Sequence, residues 1–409
     1  MSMYFDNAAT SWPKPKTVIR NMRSYFSGCG GNPGRSGHRK AIEAGRLVLE
    51  TREKLAGLFS INDPSRIIFT KNATEALNIA LFGVFAGSSA AGGNSSKTQE
   101  RHLVVTSMEH NSVLRPAREL EKRGVQLDIA EADARGVVSP AELLAKIRPD
   151  TALVCVNHAS NVTGTIQDLA AIAAGCREKG VPVLVDAAQT AGALEINCNE
   201  LEIDYLAASG HKGLLGPQGT GFLYVREGAH QPLMFGGTGS LSDREEQPDF
   251  FPDCLESGTL NVIGIAGLGA GVSYIAKRTI AAIRRHEEEL LQILLQGLRH
   301  IKGVRVYGPD NPAARTGVVS ITVDGIDSSE AGQLLDSNYG IFTRIGLHCA
   351  PRAHATIGTF PGGTVRFGIG PFTKKREVAA AVKAVREIAE SGSGVHTENR
   401  KKGKAGREG

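Results

Sequence analysis

Short β-branched runs alternate with longer amphipathic stretches between residues 66 and 225, and this alternation constrains the fold more than any other feature of the chain. RIIFT (66–70), LVVT (103–106), TALVCV (151–156), VPVLV (181–185), DYLAA (204–208) and GFLYV (221–225) read as strands. KNATEALNIALFGVF and DLAAIAAGCREKG read as helices between them. Apolar runs separated by helices predict an α/β chain with a mostly parallel sheet, covered on both faces. GFLYV follows its neighbour too closely for a helical crossover, so it is expected to run antiparallel. After residue 260 the texture changes. One long charged helix, AKRTIAAIRRHEEELLQILLQGLRHI, leads into strands around VRVYG and GVVSITV, a helix at SSEAGQLLDSN, a glycine-rich strand region and a last helix, KKREVAAAVKAVREIAES. The expectation is a large domain over 1–260 and a smaller α+β domain over 261–390, with the boundary near 255 to 265.

A chain of 409 residues can bury two such cores. The net charge of +5 is mild, and the final stretch 391–409 carries five basic and two acidic residues. That stretch reads as a disordered, solubilising tail. Basic residues scattered without aromatics argue against nucleic-acid binding. GSSAAGGNSSKTQER (87–101) reads as a flexible surface insertion. No apolar run is long enough to cross a bilayer, so no membrane association is expected. The opening MSMYFDNAATSWPKPK lacks the basic-then-apolar layout of a secretory signal, and a cytoplasmic location is expected. None of the six cysteines forms a CxxC pair, and no metal site is indicated.

Ligands of open parallel sheets bind outside the carboxyl ends of the strands. Each strand here runs into polar residues: Asn72, Ala73 and Thr74; Glu109, His110 and Asn111; Asn157, His158, Ser160 and Asn161; Asp186 and Gln189; Ser209, His211 and Lys212. At any single strand, turn chemistry explains such residues. The topology brings all five sets to one edge. Lys212 lies in SGHKGLLGPQGTG, where a lysine among glycines is either a solvated turn residue or a reactive amine in a desolvated site. The chemical types around it fit one ligand. Amides and Thr74 at a helix start suit a phosphate. An aspartate suits a protonated ring nitrogen, a histidine suits stacking on a flat ring, and a lysine suits an imine. Together they point to pyridoxal 5'-phosphate.

YFDNAAT, ATEALN, MEHNS, SNVTG, VDAAQT, SGHKGLLGPQGTG, ESGTLN and TRIGLHCAP, in this order, resemble the signature of the class V aminotransferase-like enzymes, and within them the cysteine desulfurases. The resemblance covers about residues 3 to 390. It implies a fold-type I pyridoxal phosphate enzyme with a seven-stranded sheet, usually a homodimer, whose residues 1–15 pack with the small domain. Lys212 then matches the Schiff-base lysine and Asp186 the acid facing the ring nitrogen. Gln189 matches the residue near the phenolic oxygen, and His110 the histidine stacked on the ring. Ala73, Thr74, Ser209 and His211 match the phosphate cup, and Thr259 a residue reaching the phosphate of the other subunit. Asn161 and Arg366 match residues at the substrate's carboxylate, Arg366 as a bidentate fork. Arg344 is a further substrate-side candidate. Cys349 matches the nucleophile, on a short catalytic loop.

The implied reaction takes L-cysteine to alanine and leaves sulfur on Cys349 as a persulfide for an acceptor protein. Iron–sulfur assembly, tRNA thiolation and other destinations stay open. The thiolate is the reactive form, and His348 and Arg344 are the candidates to favour it. Cys254 is the rival thiol. Leu347 stands where well-known short-loop members carry a second histidine, and the 87–101 insertion is longer than usual. These departures leave the acceptor open, and with it L-selenocysteine as a substrate. A selenocysteine lyase, another β-lyase, an epimerase and a transaminase remain alternatives on the same scaffold.

Overall fold

The computed structural model describes residues 2–34, 37–86, 101–227 and 231–405, with side chains described as far as Ser391. The expected insertion at 87–101 lies outside them except for Arg101. The chain opens with β1 (Met3–Tyr4), α1 (Lys16–Ser24) and α2 (Arg39–Phe59). A run of alternating elements follows: β2 (Ile67–Thr70), α3 (Ala73–Ala86), β3 (His102–Thr106), α4 (Asn111–Lys122), β4 (Gln126–Ala130), α5 (Pro140–Ala145), β5 (Thr151–Asn157), α6 (Leu169–Glu178), β6 (Val183–Asp186), β7 (Tyr205–Ser209) and β8 (Gly221–Val225). The second part contains α7 (Val262–Arg278), α8 (Ile280–Arg299), β9 (Val304–Tyr307), β10 (Val318–Val323), α9 (Ser328–Tyr339), β11 (Ile341–Phe342), β12 (Arg344–Gly346), α10 (Pro351–Thr356), β13 (Thr364–Gly368) and α11 (Lys375–Ala405).

The large sheet has seven strands in the order β2-β8-β7-β6-β5-β3-β4. All neighbours are parallel except at β8, which is antiparallel to both β2 and β7. The expected antiparallel GFLYV is this strand. Side chains alternate between two buried faces, as a covered sheet demands. Val154, Val156, Val183, Val185 and Phe222 join the core under α2 and α7, while Leu153, Cys155, Leu184 and Leu223 join the core under α3 and α4. The strand that the residue pattern did not reveal is β4. It is an edge strand whose QLDIA pairs only with β3 and carries polar Gln126 and Asp128, so it lacks the apolar run of the inner strands.

The long charged helix is two helices. The chain turns at Thr279, whose φ of 68° is left-handed and whose side chain caps α8 through the Ala282 N–H at 3.2 Å. The α7 segment before it packs on α1 and α2 and buries Val262, Ile265, Leu268, Val272 and Ile275 in the core of the large sheet. The change of core therefore falls along α8, later than the boundary expected near 255 to 265. Beyond it, α8, α9 and α11 cover the sheet β12-β13-β10-β9. The first residues also reach this part: β1 pairs with β11, and the rings of Phe5 and Phe367 meet edge to face at 5.7 Å. The stretch read as a disordered tail from 391 is helical to Ala405, since no proline interrupts α11. No helix among the described residues is long and apolar enough to cross a membrane.

Candidate active site

The strand order explains why five sets of polar residues meet. Strand β8 is antiparallel to β2 and β7, so β2 is parallel to β7 and its carboxyl end shares an edge with those of β3, β5, β6 and β7. Above this edge lies a cavity of about 250 Å³. Ala73, Thr74, His110, Asn161, Asp186, Gln189, Ser209, His211, Lys212, Arg344 and Arg366 all line it. Two predicted residues do not. Thr259 lines a separate cavity of about 200 Å³ with Thr70, Glu75 and Asn261. Cys349 is exposed, on the loop between β12 and α10.

The glycines around Lys212 are there for close approach. A Cβ on Gly192, at φ 83°, would stand 2.5 Å from the Gly213 carbonyl oxygen, and one on Gly213 would strike the Ala191 oxygen. The lysine turn thus stacks backbone to backbone on the turn that follows Asp186. The N-terminal segment holds the same turn from outside. Thr10 Oγ1, Ser11 Oγ and Lys14 Nζ donate to the His211 carbonyl at 3.1, 3.2 and 2.7 Å. Gln189 Nε2 donates to the Ala8 carbonyl at 3.0 Å.

Burial sets the protonation of these groups. It lowers Lys212 to about 8; Asp186 opposes the shift, while Arg366 and Arg344 assist it. It pushes the Asp186 carboxyl above its ordinary range, against the Ala188 N–H at 2.9 Å and the charge of Lys212. His110 falls to about 4, so its ring is neutral. Its Nδ1 caps α4 by accepting the Ser112 N–H at 3.1 Å.

The opposite wall comes from the sheet β12-β13-β10-β9, with Arg344 on β12 and Arg366 on β13. Arg366 on β13 is 2% exposed. Its guanidinium donates to the Asn161 carbonyl and to Asp6 Oδ1, both at 3.0 Å, and its Nε has no partner among the described residues. Asn161 Nδ2 donates to the His348 carbonyl at 2.7 Å. Next in sequence, the Cys349 carbonyl accepts the Asn111 N–H at 2.8 Å, beside His110. The cysteine loop is therefore tied to two segments at the edge of the large sheet, the one that follows β5 and the start of α4. His348 and Cys349 have φ of 50° and 57°. Left-handed backbone costs a residue with a Cβ roughly 1–2 kcal/mol, so this loop is held in place by its surroundings. His348 does not serve as a cation for the thiol. Burial lowers it to about 2, and the ring is neutral.

The model of the aminotransferase class-V family matches residues 3–380 of this chain. The chain belongs to the class V aminotransferases. It is 36% identical over 397 residues to a probable cysteine desulfurase of Methanothermobacter thermautotrophicus, covering 95% of each. It is 31% identical over 396 residues to the cysteine desulfurase IscS of Shewanella oneidensis, covering 94% of this chain and 92% of that one. The apo structure of a cysteine desulfurase from Thermococcus onnurineus superposes with a TM-score of 0.87 at 32% identity, covering 95% of both chains. Within the family, this chain is one of the cysteine desulfurases.

Three residues of this class V site were given no role by the reading of the sequence. Asp6 pairs with Arg366 from 360 positions away. His354, fully buried, contacts His348. Glu109 lies fully buried beneath the cavity floor. Thr106 Oγ1 and the Asn157 N–H donate to its Oε1 at 2.7 and 2.9 Å. Burial, aided by the nearby Asp186, raises Glu109 to about 8. Asp6 and Glu109 lie inside the motifs YFDNAAT and MEHNS, and His354 lies three residues after TRIGLHCAP, so membership of or nearness to a motif was their only signal. Glu256, which lines the same cavity as Thr259, makes another long-range pair: it accepts both Arg52 Nη1 and Nη2 at 2.9 Å.

Proposed function

We propose that this cysteine desulfurase uses pyridoxal 5'-phosphate and takes the sulfur of L-cysteine onto Cys349 as a persulfide, releasing alanine. The observation that carries this reading is one cavity that joins Lys212 and Asp186 on one wall to Arg366 on the other, with the loop of an exposed cysteine hydrogen-bonded to Asn161 and Asn111 at its edge. The donor set fits the cofactor. Asn157 Oδ1, Asn161 Oδ1, His211 Nδ1 and Arg366 Nε belong to residues lining the cavity and are buried polar atoms with no partner among the described residues. Buried polar groups are ordinarily paired, so four orphans around one cavity call for a polar ligand.

Ala73 and Thr74 offer the start of α3 to the phosphate. Ser209 Oγ accepts the Ala73 N–H at 3.0 Å and keeps its own hydrogen for the phosphate, beside His211. Bound there, the cofactor supplies an aldehyde for amines and a protonated ring that draws electrons from the substrate's α-carbon. Asp186 holds the ring nitrogen, whose positive charge returns the buried carboxyl to its ionised form. Gln189 meets the phenolic oxygen, and the neutral ring of His110 stacks on the flat face. At pH 7 about a tenth of a lysine titrating near 8 is free amine, so Lys212 is equipped to take the α-proton. Arg366 and Arg344 receive the substrate carboxylate, with Asn161 beside them. The Cys349 thiolate forms a bond to the substrate sulfur as the carbon–sulfur bond breaks. The bonding pair stays with the β-carbon, which gains a proton; Lys212 returns the proton it took to the α-carbon, and alanine leaves.

Thr259 fits the same reading as a residue lent to a second copy. It does not line the Lys212 cavity of its own chain, and exposed Leu233 and Met234 border its separate cavity. The active form is then a homodimer. An exposed nucleophilic thiol works in a reducing compartment, which supports the reading of a cytoplasmic enzyme with an acceptor protein collecting the sulfur. The test is purified, cofactor-loaded protein given L-cysteine with and without reductant. Alanine in both cases, and one extra sulfur on Cys349 by peptide mass without reductant, is the expected result. Sulfide and pyruvate without alanine would replace the desulfurase with a β-lyase.

Arg366→Lys probes the carboxylate site. Lysine keeps the charge and loses the planar fork. A charge-assisted hydrogen bond is worth roughly 1.5–3 kcal/mol, so KM for L-cysteine should rise about tenfold or more while cofactor absorbance is unchanged. An unchanged KM in a folded variant would place the carboxylate elsewhere.

A further inference from the structure

Four groups form a hydrogen-bonded series that starts at Arg344 and His348, which line the cavity, and leads away from it behind the cysteine loop. His348 Nε2 lies 3.3 Å from the Arg344 carbonyl oxygen. His348 Nδ1 lies 3.1 Å from His354 Nε2, with the two rings stacked at 5.3 Å. His354 Nδ1 lies 2.7 Å from Thr359 Oγ1. His348, His354 and Thr359 are 4%, 0% and 7% exposed.

The series has one consistent direction. A carbonyl only accepts, so His348 carries its hydrogen on Nε2 and donates to Arg344. A neutral imidazole has one N–H, which leaves Nδ1 of His348 as an acceptor. His354 must then donate from Nε2, and its own Nδ1 accepts the hydroxyl of Thr359. Burial keeps both rings neutral, lowering His348 to about 2 and His354 to about 4, so neither gains a second N–H at neutral pH. Every ring nitrogen is used within the series. His348 has no lone pair to take a proton from Cys349 and no charge to offer it.

We propose that His354 and Thr359 are positioning residues for the sulfur-transfer step: they lock the His348 tautomer, and the locked ring holds the left-handed His348–Cys349 backbone from which the thiol reaches substrate. The same ring is anchored at both ends of the loop, to Arg344 before it and to His354 after it. The His348 carbonyl faces the other way and receives Asn161 Nδ2. The loop thus has one fixed shape with no glycine at its two left-handed positions. This proposal rests on the reading of Cys349 as the nucleophile.

His354→Phe keeps a ring and removes the donor to His348. Displacing a reacting group by about 1 Å costs on the order of 100-fold in rate. Persulfide formation in the holoenzyme should slow by about that factor, with KM for L-cysteine and the cofactor spectrum unchanged. His354→Gln returns an amide donor toward Nδ1 of His348 and should restore most of the rate. Equal rates in the parent and His354→Phe would overturn the proposal, as would a Gln variant as slow as Phe. A readout without turnover covers a variant that fails to fold. Nitrogen-15 spectra of histidine-labelled Cys349→Ser holoenzyme should show His348 with its hydrogen on Nε2. Thr359→Val should release that lock and leave both tautomers populated, while Thr359→Ser retains it. Finding the hydrogen on Nδ1 of His348 would also overturn the proposal. If instead the parent forms no persulfide while the tautomer is as stated, it is the desulfurase reading that fails.

Discussion

Lys212→Ala is expected to abolish turnover, lowering alanine release from L-cysteine by about 10,000-fold or more, since both the covalent partner and a proton-transfer group are lost. The lysine stands in a desolvated site that lowers it to about 8, which is what makes its amine available at neutral pH. Removing it also strips Asp186 of a neighbouring positive charge. With that pull gone, burial raises the Asp186 carboxyl further and favours its neutral form. The variant should therefore bind the cofactor weakly and form no borohydride-reducible adduct at position 212. Lys14 is the rival amine. It too is lowered to about 8 by burial, and its Nζ already donates to Ser11 Oγ and the His211 carbonyl, each at 2.7 Å. A full-occupancy adduct mapped to Lys14 or to any other lysine in the variant would move the cofactor's attachment away from Lys212.

Cys349→Ser is expected to separate substrate binding from sulfur transfer. Lys212, Asp186, His110 and Arg366 are untouched, so L-cysteine should still bind and shift the cofactor's absorbance. A hydroxyl is neutral at pH 7 and is a poor nucleophile toward sulfur. Alanine release should nearly vanish, and peptide mass should show no persulfide. Selenium leaves carbon more readily than sulfur, so residual turnover of L-selenocysteine agrees with the proposed mechanism. Full alanine production from L-cysteine would contradict it. The rival thiol is poorly placed to explain such a result: Cys254 packs in the core under α3 and α4, and burial raises it to about 11.

The inner strands were legible because they are buried on both faces and so must be apolar along their whole length. Strand β4 was not, because one neighbour and a partly exposed surface leave its pattern mixed. The break at Thr279 was hidden for a related reason. Both AKR and TIAAI are good helix material, and only the packing of α7 on the large domain and of α8 toward the second core makes the chain turn between them.

The site divides in the same way. Residues at the ends of strands were readable, since their place follows from the topology alone: Thr74, His110, Asn161, Asp186, Ser209 and Lys212 lie on one edge once the sheet is parallel. The sequence by itself thus determined the α/β fold, the edge on which a ligand sits and, through the order of its motifs, the family. Only the tertiary structure decided that Asp6 meets Arg366, that the His354 ring backs His348, and that Thr259 lines a different cavity from Lys212. It also decided the protonation of His348, taken from the sequence as a possible cation and found neutral. The physical reason is that strand-end positions follow from local periodicity and chain connectivity. Ion pairs across the chain, tautomers and pKa shifts depend instead on which atoms become neighbours and how much water is removed around them, and neither is encoded in any short stretch of residues.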